Sequence, residues 1–117
     1  KEAARLGGVT EIIADPSNLD VARTLNTRVL VLGGGEARDL HLVMAPATAG
    51  ATPRFRVRID GRSPGADAGS DIDAQGAGRI DGERLYQLVR QSGPVRESTF
   101  EIEFLDPGVQ VFAFTFG

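Results

Sequence analysis

The sequence predicts an all-β protein, an antiparallel β-sandwich built as one domain. At least six short segments have the pattern of strands, and the clearest of them alternate between apolar and polar residues with a period of two, as half-buried strands do. The 15 glycines cluster between these segments, where turns are needed. Near the start, in "DPSNLDVARTL", Asp15 suits the N-cap and Pro16 suits the first position of a possible short helix.

The first clear strands are "RVLVL" (28–32) and "DLHLVMA" (39–45), which "GGGEAR" joins as a flexible connection. The next, "RFRVRID" (54–60), alternates apolar residues with arginines, which predicts a half-buried strand with a basic, solvated face. "DG" then gives a hairpin signal. The stretch after it, "RSPGADAGS", is too polar and too rich in glycine to predict a cleanly paired strand.

The segment "RLYQLVRQ" (84–91) fits two kinds of secondary structure. Leu85, Leu88 and Val89 have the spacing of one helix face, but Tyr86 and Leu88 also fit one face of a strand. Length favours the strand, because "SGP" ends the segment too early for a stable helix.

The carboxyl-terminal segment 99–116 predicts a strand, a tight turn and a second strand. "TFEIEFL" alternates large apolar residues with threonine and glutamate, so one of its faces is buried. In "LDPG", Pro107 and Gly108 suit the central positions of a type II turn. "VQVFAFTFG" is apolar on both faces, with three phenylalanines on one side, and this pattern is typical of a strand buried on both sides.

Composition excludes several classes of function. The net charge is −3, and acidic and basic residues are mixed along the chain. The sequence has no basic stripe, so a nucleic-acid partner is not expected. The chain has no cysteine, which excludes disulfides, thiolate metal sites and thiol catalysis. It also lacks the run of about 18 apolar residues that a membrane-spanning helix needs, so no membrane contact is predicted for this domain.

The stretches "RLYQLVRQ" and "FEIEFLDPGVQVFAFTFG", with "RDLHLVMAP" and "FRVRIDGRSPGADAGSDIDAQGAG", resemble the C-terminal domain of DipZ-type bacterial proteins. These proteins join a membrane-embedded cytochrome-c-biogenesis portion to an extracytoplasmic thioredoxin-like domain. Their last domain is a jelly roll similar to carbohydrate-binding modules. The resemblance begins near residue 39, so we assign 39–117 to the module core. Residues 1–38 lack the tryptophan-containing opening strand of the family and either complete the sandwich or form a linker.

The resemblance implies three further expectations. The fold is a β-sandwich of jelly-roll type. The location is extracytoplasmic, in the periplasm or cell envelope. The partner is the neighbouring thioredoxin-like domain of the parent protein. Because the thioredoxin Cys-x-x-Cys motif is absent from this chain, no disulfide exchange is carried over.

"DIDAQGAG" (71–78) looks like the start of a calcium loop. An EF-hand is disfavoured, because its twelfth position would be Gly82 instead of a bidentate glutamate. A calcium site of another kind, made by Asp67, Asp71, Asp73 and a backbone carbonyl, stays open and is the only cofactor that the sequence suggests. The alternative is that these aspartates cap turns and remain in water.

Ligand binding has two candidate surfaces. A sugar stacks on a flat aromatic ring, and most of the phenylalanines have the pattern of core residues, so Tyr86 is the candidate platform for a carbohydrate. The alternative is a packed strand residue whose hydroxyl finds a partner. Arg54, Arg56 and Arg58 form a candidate ledge for an acidic partner, such as a neighbouring domain. The alternative there is a solvated strand face.

No catalytic residue is predicted. Glu101 and Glu103 share a strand face, and paired carboxylates act in glycosidases, but a solvated face explains them more simply. His41 has no second histidine or cysteine to work with. The sequence therefore predicts a non-catalytic β-sandwich module that binds a glycan or docks a neighbouring domain. The alternative is a purely structural or protein-interaction domain with no small-molecule ligand.

Overall fold

The structure, a computed structural model, describes residues 4–6, 12–14, 29–36, 38–94 and 97–116, with side chains from 38 to 111 except 95–96. These residues form nine strands and one 3-10 turn (Gly65–Asp67), and none of them lies in an α-helix. The strands are β1 (Ala4–Leu6), β2 (Ile12–Ala14), β3 (Val29–Glu36), β4 (Asp39–Pro46), β5 (Arg54–Ile59), β6 (Ala77–Arg79), β7 (Arg84–Arg90), β8 (Glu97–Phe104) and β9 (Val109–Phe116). The helix predicted at Asp15 and Pro16 lies outside the described residues.

The strands form two sheets that pack face to face. One has the order β1-β9-β4-β7 and the other the order β2-β3-β8-β5-β6. All pairings among the described strands are antiparallel except the parallel pairing of β2 with β3. From β3 to β9 the chain changes sheet after every strand except β5. This strand order is that of a jelly roll. The predicted all-β sandwich is thus confirmed.

The carboxyl-terminal segment is a strand, a turn and a strand, as predicted, but its two strands do not pair with each other. β8 lies between β3 and β5 in the five-stranded sheet, whereas β9 lies between β1 and β4 in the other. Gly108 in the connecting turn has a φ of 85°, which the third residue of a type II turn requires. The turn therefore carries the chain across the sandwich. The side chains of Phe112, Phe114 and Phe116 lie outside the described residues.

In the segment 84–91, Arg84–Arg90 form a strand, as the length of the segment predicted. Tyr86 and Leu88 face the core, but Val89 is buried as well. A β-bulge explains the difference, because β7 contains one residue more than β4 between two of their paired positions, and that extra residue is Leu88. The bulge changes the alternation of the two faces within the strand.

The core lies between the sheets and receives side chains from both. Phe55 and Tyr86 meet across it edge to face, with ring centroids 6.4 Å apart. The predicted inward faces of β5 and β8 are confirmed. The buried apolar side chains of the core are Leu40, Leu42, Met44, Phe55, Val57, Ile59, Ile80, Tyr86, Leu88, Val89, Phe100, Ile102, Phe104, Val109 and Val111.

The described part of segment 1–38 contributes strands to both sheets. β1 pairs with β9, and β3 pairs with β8. β3 includes the three glycines at 33–35, which the sequence analysis assigned to a flexible connection. None of the described residues belongs to a helix of the length and apolar character that crossing a membrane requires.

Candidate functional site

The predicted calcium loop is part of a longer connection between β5 and β6, residues 60–76, which we call the β5–β6 loop. Backbone hydrogen bonds attach this loop to both sheets. Val57 of β5 donates its N–H to the carbonyl of Gly76 at 2.8 Å. The N–H groups of Gly69 and Asp71 donate to carbonyls of β7 at 2.9 and 3.1 Å. Because β7 is the last strand of its sheet, the loop covers an edge that would otherwise expose unpaired backbone groups.

The three aspartates of the predicted metal site serve the loop and do not converge. One carboxylate oxygen of Asp71 accepts the N–H of Gln87 at 2.7 Å, and the other lies 3.0 Å from the guanidinium of Arg84. Asp73 accepts the backbone N–H groups of Gln75, in the same loop, and of Ala77, the first residue of β6, both at 2.9 Å. Asp67 accepts a backbone N–H at 3.4 Å. Within the described residues, no group of three acidic, histidine or cysteine side chains is placed to hold a metal ion. The geometry therefore supports turn capping over calcium binding.

Tyr86, the predicted carbohydrate platform, is fully buried. Its hydroxyl accepts the N–H groups of Asp81 and Gly82 at 2.9 and 3.2 Å. The hydroxyl can donate its own proton to the carbonyl of Gly82 at 2.6 Å or to the carboxylate of Asp81 at 3.1 Å. This arrangement resembles the tyrosine corner of other β-sandwiches, where a strand tyrosine bonds to backbone a few residues upstream. Tyr86 is thus a packed strand residue whose hydroxyl finds partners, the alternative to a carbohydrate platform.

Arg84 closes the edge of the core above Tyr86. Its guanidinium carbon lies 3.9 Å from the centroid of the Tyr86 ring, a cation–π geometry. The same guanidinium contacts the carboxylates of Asp71 at 3.0 Å and Asp81 at 3.1 Å. The hydrogen bond from Arg84 lowers the pKa of Asp81, and burial raises the pKa of the Tyr86 hydroxyl. The cluster ties the β5–β6 loop to β7.

The predicted arginine ledge lies on the outer face of the five-stranded sheet, where acidic groups partly neutralise it. Arg54 holds Asp106 with a two-pronged contact, Nε–Oδ2 at 2.8 Å and Nη2–Oδ1 at 3.0 Å. The Nη1 atom of Arg58 lies 3.2 Å from Oε1 of Glu103. Arg56 is exposed and forms no ion pair within the part of the chain that the structure describes. Two of the three arginines are therefore already engaged inside the fold.

The Arg54–Asp106 contact predicts an acid-dependent loss of stability. The hydrogen bonds from the guanidinium and from the backbone N–H of Arg54 hold the pKa of Asp106 well below its usual range. A lowered folded-state pKa means that the charged carboxylate stabilises the fold above the unfolded-state pKa of about 4. That stabilisation is lost as the pH falls below about 4 toward the folded-state pKa.

We therefore expect the stability difference between wild type and Asp106→Asn to be largest near neutral pH and to narrow below about pH 4. The urea unfolding midpoints of wild type and Asp106→Asn at several pH values measure this difference in stability. Glu83→Gln is the matched control, because Glu83 is exposed and forms no ion pair among the described residues. An equal difference at neutral and acid pH would contradict the assignment.

The outer face of the four-stranded sheet carries a second candidate surface, which the sequence analysis did not select. Val43 lies opposite Leu85, and His41 lies opposite Gln87. We call these four residues the β4–β7 patch. Leu85, at 42% exposure, is the one large apolar side chain that is exposed among the described residues. The strand interpretation of 84–91 contained this signal, because it placed Leu85 on the face opposite the core.

The chain resembles one known protein family over most of its length. A family model described as "Thioredoxin like C-terminal domain" matches residues 30–117. No curated protein matches the chain significantly. Among solved structures, a novel beta-glucosidase from Paenibacillus barengoltzii is similar over 92% of this chain, at 13% identity and a TM-score of 0.45. The chain spans only 11% of the length of that structure.

Proposed function

Since this chain belongs to the family of thioredoxin-like C-terminal domains, we propose that it is an accessory module that docks against a thioredoxin-like domain of its parent protein. It has no catalytic role of its own in this proposal. The family match supports the proposal, because the description "Thioredoxin like C-terminal domain" implies a neighbouring thioredoxin-like domain in the parent protein. Two domains joined in one chain meet at a high effective concentration, so a small contact surface is sufficient for docking.

The β4–β7 patch is the surface that we propose for this contact. Domain interfaces within a chain are small and more polar than permanent ones. The patch has that mixed character, with the apolar pair Val43 and Leu85 beside the polar pair His41 and Gln87. Covering an exposed leucine with a neighbouring domain lowers the free energy of the system by about 25 cal/mol per Å² of apolar surface buried.

Docking is better supported than carbohydrate binding. A sugar platform needs an open aromatic face. The aromatic side chains that the structure describes, Phe55, Tyr86, Phe100 and Phe104, are all buried in the core.

The resemblance to DipZ-type proteins supports an extracytoplasmic location for the module, and we include that location in the proposal.

The experiment compares methyl NMR spectra of this chain alone and within its parent protein. We expect the methyl signals of Val43 and Leu85 to shift between the two samples. The methyl signals of Val57 and Ile102, which lie in the core, serve as the control and stay in place. Leu85→Glu, introduced in both samples, should abolish the difference in the Val43 signals between the parent and the isolated chain. Ala49→Glu, at an exposed turn, should leave that difference in place.

Two results would contradict the proposal. Identical Val43 and Leu85 signals in both samples would mean that the patch does not touch a neighbouring domain. Shifts on adding cellohexaose or chitohexaose to the isolated chain would instead favour a carbohydrate ligand.

A further inference from the structure

Two rows of opposite charge run side by side on the outer face of the five-stranded sheet. Arg56 and Arg58 are neighbours on the outer face of β5, two positions apart in the chain. Glu103 lies directly opposite Arg56 on β8, and Glu101 lies directly opposite Arg58. Residues directly opposite in an antiparallel pair share one face, with their Cβ atoms about 5 Å apart. We call these four residues the charged square, with a basic row on β5 and an acidic row on β8.

Only one diagonal of the charged square is paired. Arg58 contacts Glu103 at 3.2 Å, across the diagonal. Arg56 and Glu101, at the two remaining corners, form neither an ion pair nor a side-chain hydrogen bond within the described residues. Arg56 is exposed and Glu101 is partly exposed. The square therefore presents one unpaired positive group and one unpaired negative group to solvent.

We propose that the charged square binds a second copy of this chain about a two-fold axis that runs parallel to the strands, between β5 and β8. Such an axis exchanges the two rows, so every arginine meets a glutamate. Arg56 meets Glu103 of the partner subunit, and Glu101 meets Arg58 of the partner subunit. The ion pair of each copy thus bridges the two unpaired groups of the other. The interface is isologous, as in most homodimers.

The pattern of charges favours a second copy over other partners. A wholly acidic partner would be attracted by the basic row and repelled by the acidic row, and a wholly basic partner would meet the opposite problem. A second copy carries the same two rows, and the two-fold axis presents them in reversed order, so that opposite charges meet. A two-fold axis parallel to the strands also gives the aligned packing that is common between sheets. Exposed ion pairs contribute little each and are screened by salt, so the association is weak and sensitive to ionic strength.

Sedimentation equilibrium of the 117-residue chain tests the proposal. We expect a concentration-dependent dimer in low salt that dissociates in about 0.5 M NaCl, where the screening length is a few ångströms. Arg56→Glu should weaken the association by about tenfold or more, because it places two carboxylates opposite each other. Arg62→Glu is the control. It changes the net charge equally at an exposed residue of the β5–β6 loop, outside the square.

A row exchange tests the geometry itself. The variant that combines Arg56→Glu, Arg58→Glu, Glu101→Arg and Glu103→Arg reverses both rows and preserves every opposite-charge contact within and between copies. We expect it to dimerise as wild type does. Circular dichroism verifies that each variant is folded, and Arg56→Gln provides a milder change if the others are not.

Three results would overturn the proposal. A wild-type chain that remains monomeric at about 1 mM in low salt has no such interface, because an association that weak contributes under about 4 kcal/mol. Equal weakening by Arg56→Glu and Arg62→Glu would assign the effect to net charge alone. A folded row-exchange variant that stays monomeric would exclude this axis. The charged square lies on the sheet opposite the β4–β7 patch, so these results leave the domain-docking proposal unaffected.

Discussion

Gly76→Ala is expected to lower the free energy of unfolding by about 3–5 kcal/mol. Gly76 has a φ of 88°, a conformation that residues with a Cβ rarely adopt. An added Cβ would also overlap the carbonyl oxygen of Val57. Neither side can move freely, because the N–H of Val57 donates to the carbonyl of Gly76 at 2.8 Å. Relief of the overlap would therefore pull the β5–β6 loop away from the sheet.

Gly50→Ala is the matched control for this prediction. Gly50 has nearly the same φ, 84°, but an added Cβ there would meet nothing within 4 Å. It should cost only the backbone strain, about 1–2 kcal/mol. Urea unfolding of both variants measures the two losses. Equal losses would show that the close approach to Val57 contributes nothing and that strain alone explains the requirement for glycine.

Tyr86→Phe is expected to cost about 1–3 kcal/mol, although it removes a single oxygen atom. The hydroxyl accepts two backbone N–H groups, from Asp81 and Gly82, and phenylalanine leaves both without that acceptor. Tyr86→Ala also empties the volume of a fully buried ring beside Phe55, so its cost should reach about 3–5 kcal/mol. Chemical unfolding followed by circular dichroism measures each loss.

The control for the hydroxyl is Thr52→Val, which removes an exposed hydroxyl that forms no hydrogen bond within the described residues. Its unfolding midpoint should match that of wild type. If the unfolding midpoint of Tyr86→Phe also matches that of wild type, the hydrogen bonds of the Tyr86 hydroxyl contribute nothing to the free energy of unfolding. A large loss would instead establish that Tyr86 acts in the fold, at the position where the sequence suggested a ligand platform.

Much of the strand pattern was predictable from the sequence. Alternation in "RFRVRID" and "TFEIEFL" predicted that Phe55 and Phe100 lie on inward faces, and both are buried. The reason is local, since successive side chains of any strand point to opposite faces. The short length of segment 84–91 favoured a strand over a helix, and Arg84–Arg90 form a strand. The burial of Val89 was not predictable, because the bulge in β7 depends on how that strand pairs with β4.

The candidate sites were harder to predict, because each depends on contacts between distant parts of the chain. The sequence pattern predicted a free basic ledge at the arginine row, but Arg54 is hydrogen-bonded to Asp106, 52 residues away in the chain. The alternating aspartates suggested cation ligands, but the carboxylate of Asp71 accepts a backbone hydrogen bond from Gln87 of β7. In both cases the residue types were recognised correctly, but their partners were not visible in the local pattern.

The sequence by itself determined where most strands lie and which of their faces are apolar, since both follow from a two-residue period within a short segment. Only the tertiary structure decided which strands are neighbours, that β8 and β9 belong to different sheets, and that opposite charges meet on one face. Those features arise from pairings between segments far apart in the chain, and no local pattern specifies a distant partner.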